Sequence, residues 1–180
     1  MKKTIFNQSA LKKASNKKAL LYSYTDNNMV IVWNASGTFV FKINTYLFDI
    51  EIKNNIPTEQ KEIPQCIFDT FAAFQNSEIL SDTFLTFETP DHYTARMYQN
   101  RSYKYITLVN TELLKILNGI EHYTPYQYKE NRAILYKNGD INCLIFPLYN
   151  RGIKEKIQTL AEELKTEWYY WLFYYFPSLY

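Results

Sequence analysis

Polar and apolar positions change rhythm several times along this chain, and each change marks an expected element. Residues 21–25, 29–34 and 38–43 alternate or run apolar and are rich in β-branched and aromatic residues, so they read as strands. Asp26-Asn27-Asn28 and Ala35-Ser36-Gly37 carry the turn chemistry that would join them. Ahead of these strands, 7–20 reads as a helix, with Asn7 or Ser9 as its cap and Leu11 and Leu20 facing inward. Residues 44–50 suggest one further helical turn, and the polar, proline-bounded piece 53–64 reads as a loop.

The rhythm then repeats. Residues 63–74 have helical spacing, with Ile67, Phe71 and Phe74 on one face and Pro64 in the first turn. Residues 83–88 and 93–99 flank Thr89-Pro90-Asp91 as a hairpin, and 103–109 supplies a third strand. Asn110 or Thr111 can cap a helix running to Leu117, which Gly119 would end. Strands follow at 123–128, 132–136 and 141–148, with Asn138-Gly139 as a strong hairpin signal. From Gly152 onward, Ile153, Ile157, Leu160, Leu164, Trp168, Trp171 and Tyr175 step by three or four, the mark of a long amphipathic helix. A helix followed by three strands therefore recurs at 7–43, 63–109 and 110–148.

Two stretches carry a family resemblance. Val109-Asn110-Thr111-Glu112-Leu113-Leu114 leads through strands to Leu144-Ile145-Phe146-Pro147-Leu148. This resembles the closing repeat of a bacterial β sliding-clamp domain, and 29–43, with its Asn34-Ala35-Ser36-Gly37 turn, is similar to that family's strand pair around a tight turn. The resemblance spans 29–43 and 107–148. It implies a helix-plus-sheet fold and, in function, contact with DNA.

Composition adds bounds. At 180 residues, the chain is one domain by the usual length prior and long enough to build a core unaided. Cys66 and Cys143 are too few for a disulfide scaffold, and there is no apolar leader, so the cytosol of a host cell is the expected location. The longest aromatic-apolar run, 168–176, is too short for a membrane span. Abundant Lys, Asn, Ile and Tyr give the general look of accessory proteins of phages of low-GC bacteria.

The formal charge of +2 hides segregation. Residues 1–48 carry +6, 49–91 carry −7, 92–151 carry +4 and 152–180 carry −1. Such blocks create local fields that select partners. The acids Glu59, Glu62, Glu78, Asp82 and Glu88 are candidates for a partner-binding face that mimics nucleic acid. Lys12, Lys13, Lys17 and Lys18, with Arg96, Arg101 and Lys104 and the interleaved Tyr98, Tyr103 and Tyr105, are candidates for contact with nucleic acid itself. A solvated lysine face and cross-strand tyrosine packing are the plainer readings of the same residues.

Other chemistry is sparse. Asp91-His92 and Glu121-His122 pair an acid with an imidazole, but neighbours on a strand diverge and no third metal ligand is spaced with either. Neither cysteine has a CxxC partner, and there is no phosphate-cradling glycine loop. No catalytic, cofactor or metal site is expected. The C-terminal run is aromatic on all sides, and Trp168, Trp171, Tyr174 and Tyr175 are candidate interface residues, for a homodimer or another partner.

The expected fold is α+β, with antiparallel sheets, helices packed on one side, helix-plus-three-strand pseudo-repeats and a long aromatic C-terminal helix. Residues 1–151 would form a clamp-like core, and 152–180 an aromatic helix in the same compact unit. The expected function is non-enzymatic binding of phage or mobile-element type. It would engage a nucleic-acid-processing protein and inhibit a host defence nuclease, in the anti-CRISPR manner, by steric block or acidic mimicry. The alternative is a clamp-like protein of replication or recombination that binds DNA directly.

Overall fold

The computed structural model describes residues 4–15, 20–74, 77–89, 92–100, 106–129, 132–139 and 141–148. The helix expected over 152–180, with Trp168, Trp171, Tyr174 and Tyr175, lies outside them. The described fold is α+β. Its strands are β1 (Leu21–Asp26), β2 (Met29–Asn34), β3 (Phe39–Asn44), β4 (Thr58–Gln60), β5 (Glu78–Glu88), β6 (Thr94–Asn100), β7 (Ile106–Asn110), β8 (Thr124–Gln127), β9 (Ile134–Asn138) and β10 (Ile141–Ile145). The helices are α1 (Gln8–Ala14), α2 (Thr45–Leu47), α3 (Gln65–Ala73) and α4 (Thr111–Leu114). A π-helical turn, Phe48–Lys53, continues α2.

The strands form one sheet in the order β4-β1-β2-β3-β10-β9-β8-β5-β6-β7. All pairings are antiparallel except β1 with β4, so the sheet is mixed, not purely antiparallel as expected. Tight turns set the register of the two central meanders. Gly37 (φ +64°) and Gly139 (φ +54°) occupy left-handed positions that L side chains resist, and they close β2–β3 and β9–β10. The meanders meet where β3 pairs β10, Phe41 opposite Cys143.

Both faces of the sheet are buried. Val30, Val32, Phe41, Ile43, Ile134, Tyr136 and Cys143 face α1, α4 and the π-helical turn through Leu11, Leu114, Phe48 and Ile52. The alternate strand positions Ile31, Trp33, Val40, Leu135 and Leu144 face α3, whose Ile67, Phe71 and Phe74 close over them. Helices therefore lie on two sides, which corrects the one-sided expectation. The reason is visible in β2: Val30-Ile31-Val32-Trp33 is apolar at every position, the pattern of a strand covered on both faces. Other elements also depart from the reading of the chain: α4 ends at Leu114 instead of Leu117, and Gly119 leads into the 3₁₀ turn Ile120–His122 instead of ending the helix. Residues 53–64 are not all loop, since Thr58–Gln60 pairs in parallel with β1. Strand β5 begins at Glu78, five residues before the expected start at 83.

Asn34 ties helix to sheet. It is 1% exposed. Its Nδ2 donates to the Ala14 carbonyl (3.0 Å), Ser36 Oγ (2.8 Å) and Thr38 Oγ1 (2.8 Å), and its Oδ1 accepts from the Thr38 N–H (2.9 Å). One side chain thus satisfies an orphan carbonyl at the end of α1 and the backbone of the β2–β3 turn.

Candidate nucleic-acid interface

Helices α1 and α4 are far apart in sequence and adjacent in space. Each starts on an asparagine cap: Asn7 Oδ1 accepts from the Ala10 N–H (3.1 Å), and Asn110 Oδ1 from the Glu112 N–H (2.9 Å). The segment before α1 pairs with the segment after α4. Phe6 bridges Leu117, the Asn7 N–H donates to the Ile116 carbonyl (2.8 Å), and the Asn118 N–H donates to the Ile5 carbonyl (2.9 Å). Phe6, Leu11, Leu114 and Leu117 are buried beneath the pair, so the polar positions turn outward.

Those outward positions hold Lys12, Lys13, Glu112 and Lys115. Lys12 is exposed and makes no ion pair among the described residues. Lys13 Nζ reaches across the helices to Glu112 Oε2 at 2.8 Å, and Lys115 Nζ, at the C-cap of α4, holds Glu112 Oε1. The two ammonium groups, Lys115 first and then Lys13, pull the Glu112 carboxyl down to about 2. Two cations hold one carboxylate and Lys12 is exposed beside Lys13, so these four side chains carry a net +2. Lys17 and Lys18, expected to extend it, lie outside the described residues.

The other expected basic residues are elsewhere. Arg96 sits on β6 and is engaged by Asp82 of β5 through Nε (2.9 Å) and Nη2 (2.6 Å). Arg101 and Lys104 lie outside the described residues.

The candidate acids fall in two groups. Glu59 is on β4, 3.8 Å from Lys61, and Glu62 is exposed just beyond. Glu78, Asp82 and Glu88 are on β5. Strand β5 is seven positions from β4 in the sheet order, roughly 30 Å at about 4.8 Å per strand. Each β5 acid also has a partner: Asn100 for Glu78 (3.2 Å), Arg96 for Asp82 and His92 for Glu88 (3.1 Å).

The imidazoles do not behave as strand neighbours. His122 lies with Glu121 in a 3₁₀ turn, Ile120–His122, which lets Nε2 and Oε1 approach to 3.6 Å instead of diverging. His92 pairs with Glu88, and Asp91 lies outside the described residues. Cys143 is buried in β10, and burial pushes its thiol well above the ordinary range. Cys66 is exposed, on α3.

Lys115 and Glu112 were not picked out as site residues by sequence reasoning. Their i,i+3 spacing on a capped helix was available as a signal. The Lys13–Glu112 contact was not, because it spans 99 positions. No helix among the described residues is long and apolar enough to cross a membrane. Comparison with protein-family models, with curated proteins and with solved structures returns no match.

Proposed function

We propose that this chain is a non-enzymatic binding protein that holds a nucleic-acid backbone against the paired helices α1 and α4. The observation that carries the reading is the pair of ammonium groups, Lys13 of α1 and Lys115 just after α4, held on the single carboxylate of Glu112, with Lys12 exposed next to Lys13 on α1. Phosphate binding needs cations held on a rigid surface, and helix pairs supply that without loop ordering.

The chain order supports it. Helix α1 precedes β1-β2-β3, and α4 precedes β8-β9-β10, the two meanders meeting at β3 and β10. A helix leading into strands is what the clamp-type resemblance of 29–43 and 107–148 implies, and the reading draws on it. The acidic-mimic reading has less behind it, since the candidate acids stand in two distant and internally paired groups. The test is fluorescence anisotropy of a short labelled duplex at several salt concentrations. Affinity that falls steeply with salt supports the reading, and no binding at low salt rejects it.

A further inference from the structure

Strand β5 has an open side. It pairs with β6 along both ends of its length, but with β8 only at Glu78↔Gln127 and Ile79↔Tyr126. The next residue of β8 is Pro125, which has no N–H to continue a ladder. Beyond Ile79, β5 has no strand on that side among the described residues.

An open edge invites strand addition, and here a bulge between Asp82 and Thr86 closes it off. The bulge is built from its own side chains. Asp82 Oδ1 accepts from the Phe84 N–H (2.8 Å), and Thr83 Oγ1 accepts from the Leu85 N–H (3.3 Å) while donating to the Met97 carbonyl (2.8 Å). Arg96 then grips Asp82 through two nitrogens. With the 84 and 85 donors turned inward, this edge is a poor template for a strand.

What the bulge displays is unexpected. Phe84 sits at φ +60° and is 74% exposed, with the Arg96 guanidinium 5.1 Å from its ring. Leu85 is 44% exposed and Tyr93, on the same hairpin, 49%. Glycine or asparagine would make the same bulge without strain. A bulky aromatic in the left-handed region, held out to solvent by an ion pair and two side-chain turns, is the geometry of a preorganised anchor.

We infer that Phe84, with Leu85 next to it, anchors a protein partner by entering an apolar pocket rimmed with Lys or Arg. The charge around the knob selects that occupant. Asp82 and Arg96 neutralise each other, so the remaining charges of strand β5 are those of Glu78 and Glu88, and the strand carries no basic residue. This surface repels phosphates and repels a second copy of itself, and it complements a basic protein rim. The site is separate from α1 and α4 and does not depend on their reading.

The test places a photo-crosslinking phenylalanine analogue at position 84 in the full chain, inside the cells that make it, with position 46 as comparator. Tyr46 is likewise exposed but remote from β5 in sequence and on a different element. The expected result is an adduct from 84 and not from 46. The crosslinked protein, identified and purified, then binds the unmodified chain. Phe84→Ala weakens that binding at least tenfold, and added salt weakens it further. Phe84→Gly, which relieves the φ strain, raises the melting temperature while losing the same binding, a combination that a merely structural Phe84 would not give. Three outcomes overturn the inference: no adduct at 84, an adduct with a second copy of the chain, or a partner whose affinity is unchanged in both variants.

Discussion

Replacing Asn34 with alanine is the sharpest test of how the helix pair is mounted on the sheet. The side chain is buried; its two N–H groups are shared among the Ala14 carbonyl, Ser36 Oγ and Thr38 Oγ1, and its Oδ1 accepts from the Thr38 N–H and, at 3.5 Å, the Phe39 N–H. At about 1 kcal/mol net for each of the two N–H donations and for the Thr38 acceptance, Asn34→Ala should cost about 3 kcal/mol. That is a large part of the 5–15 kcal/mol typical of a domain, and corresponds to a fall of about 6–12 °C in melting temperature for a chain this size. Ser36→Ala removes one of the same contacts and should cost about 0.5 kcal/mol or less. Urea titration followed by tryptophan fluorescence reads both, with an unchanged m-value showing that the unfolded states are comparable. A loss below about 1 kcal/mol in Asn34→Ala, or one no larger than in Ser36→Ala, refutes the idea that this residue fastens α1 to the β2–β3 turn.

Further tests concern ionisable groups. The lowered Glu112 carboxyl contributes stability that is present above its ordinary range near 4.5 and is lost as pH falls toward about 2. Because the side chain is 44% exposed, the effect should be below about 1 kcal/mol, and Glu112→Gln should flatten this acid limb in a pH series of urea midpoints. Burial pushes Tyr98 and Tyr123 up to about 12 and Tyr136 well above the usual phenol range. These raised values mean stability is complete below pH 10 and falls as pH rises past it, and absorbance at about 295 nm should show three tyrosines ionising late, with unfolding. The Tyr98 and Tyr136 hydroxyls lie close enough to influence each other's charge, yet neither meets hydrogen-bond geometry. Tyr136→Phe should therefore change stability by less than about 1 kcal/mol.

Local chemistry made much of the fold legible. Strands β1, β2 and β3, the turns at Gly37 and Asn138-Gly139 and the Asn110 cap all followed from alternation, turn residues and caps, because each depends on neighbours within a few positions. Strand β4 did not. Thr58-Glu59-Gln60 is polar and flanked by Pro57, and only the parallel pairing with Leu21, Tyr22 and Ser23 makes it a strand. Expecting helices on one face overlooked the continuous apolar run of β2, which needs α3 as a second cover. The candidate site was half legible. Lys12 and Lys13 stood out on a capped helix, but Lys115 joined them only through the pairing of Phe6 with Leu117. The acidic block 49–91 is divided for the same reason, since residues near one another along the chain stand seven strand positions apart. The Phe84 bulge left a local trace in Asp82-Thr83, whose side chains can cap backbone N–H groups two residues on. Nothing local indicated that Arg96 would lock it.

The central claim is that α1 and α4 seat a nucleic-acid backbone, and salt-dependent binding tests it most directly. Anisotropy of a labelled duplex should be measured from low to moderate salt for the unmodified chain and for Lys12→Gln/Lys13→Gln/Lys115→Gln. The account predicts measurable binding whose log–log salt slope becomes shallower by about 2–3 in the triple variant, with affinity near 0.1 M salt lowered by about eightfold per lysine that contacts a phosphate. Glu112→Gln, which frees Lys13 and Lys115, should bind more tightly than the unmodified chain. An unchanged slope in the triple variant, or no duplex binding by the intact protein at low salt, would contradict the account.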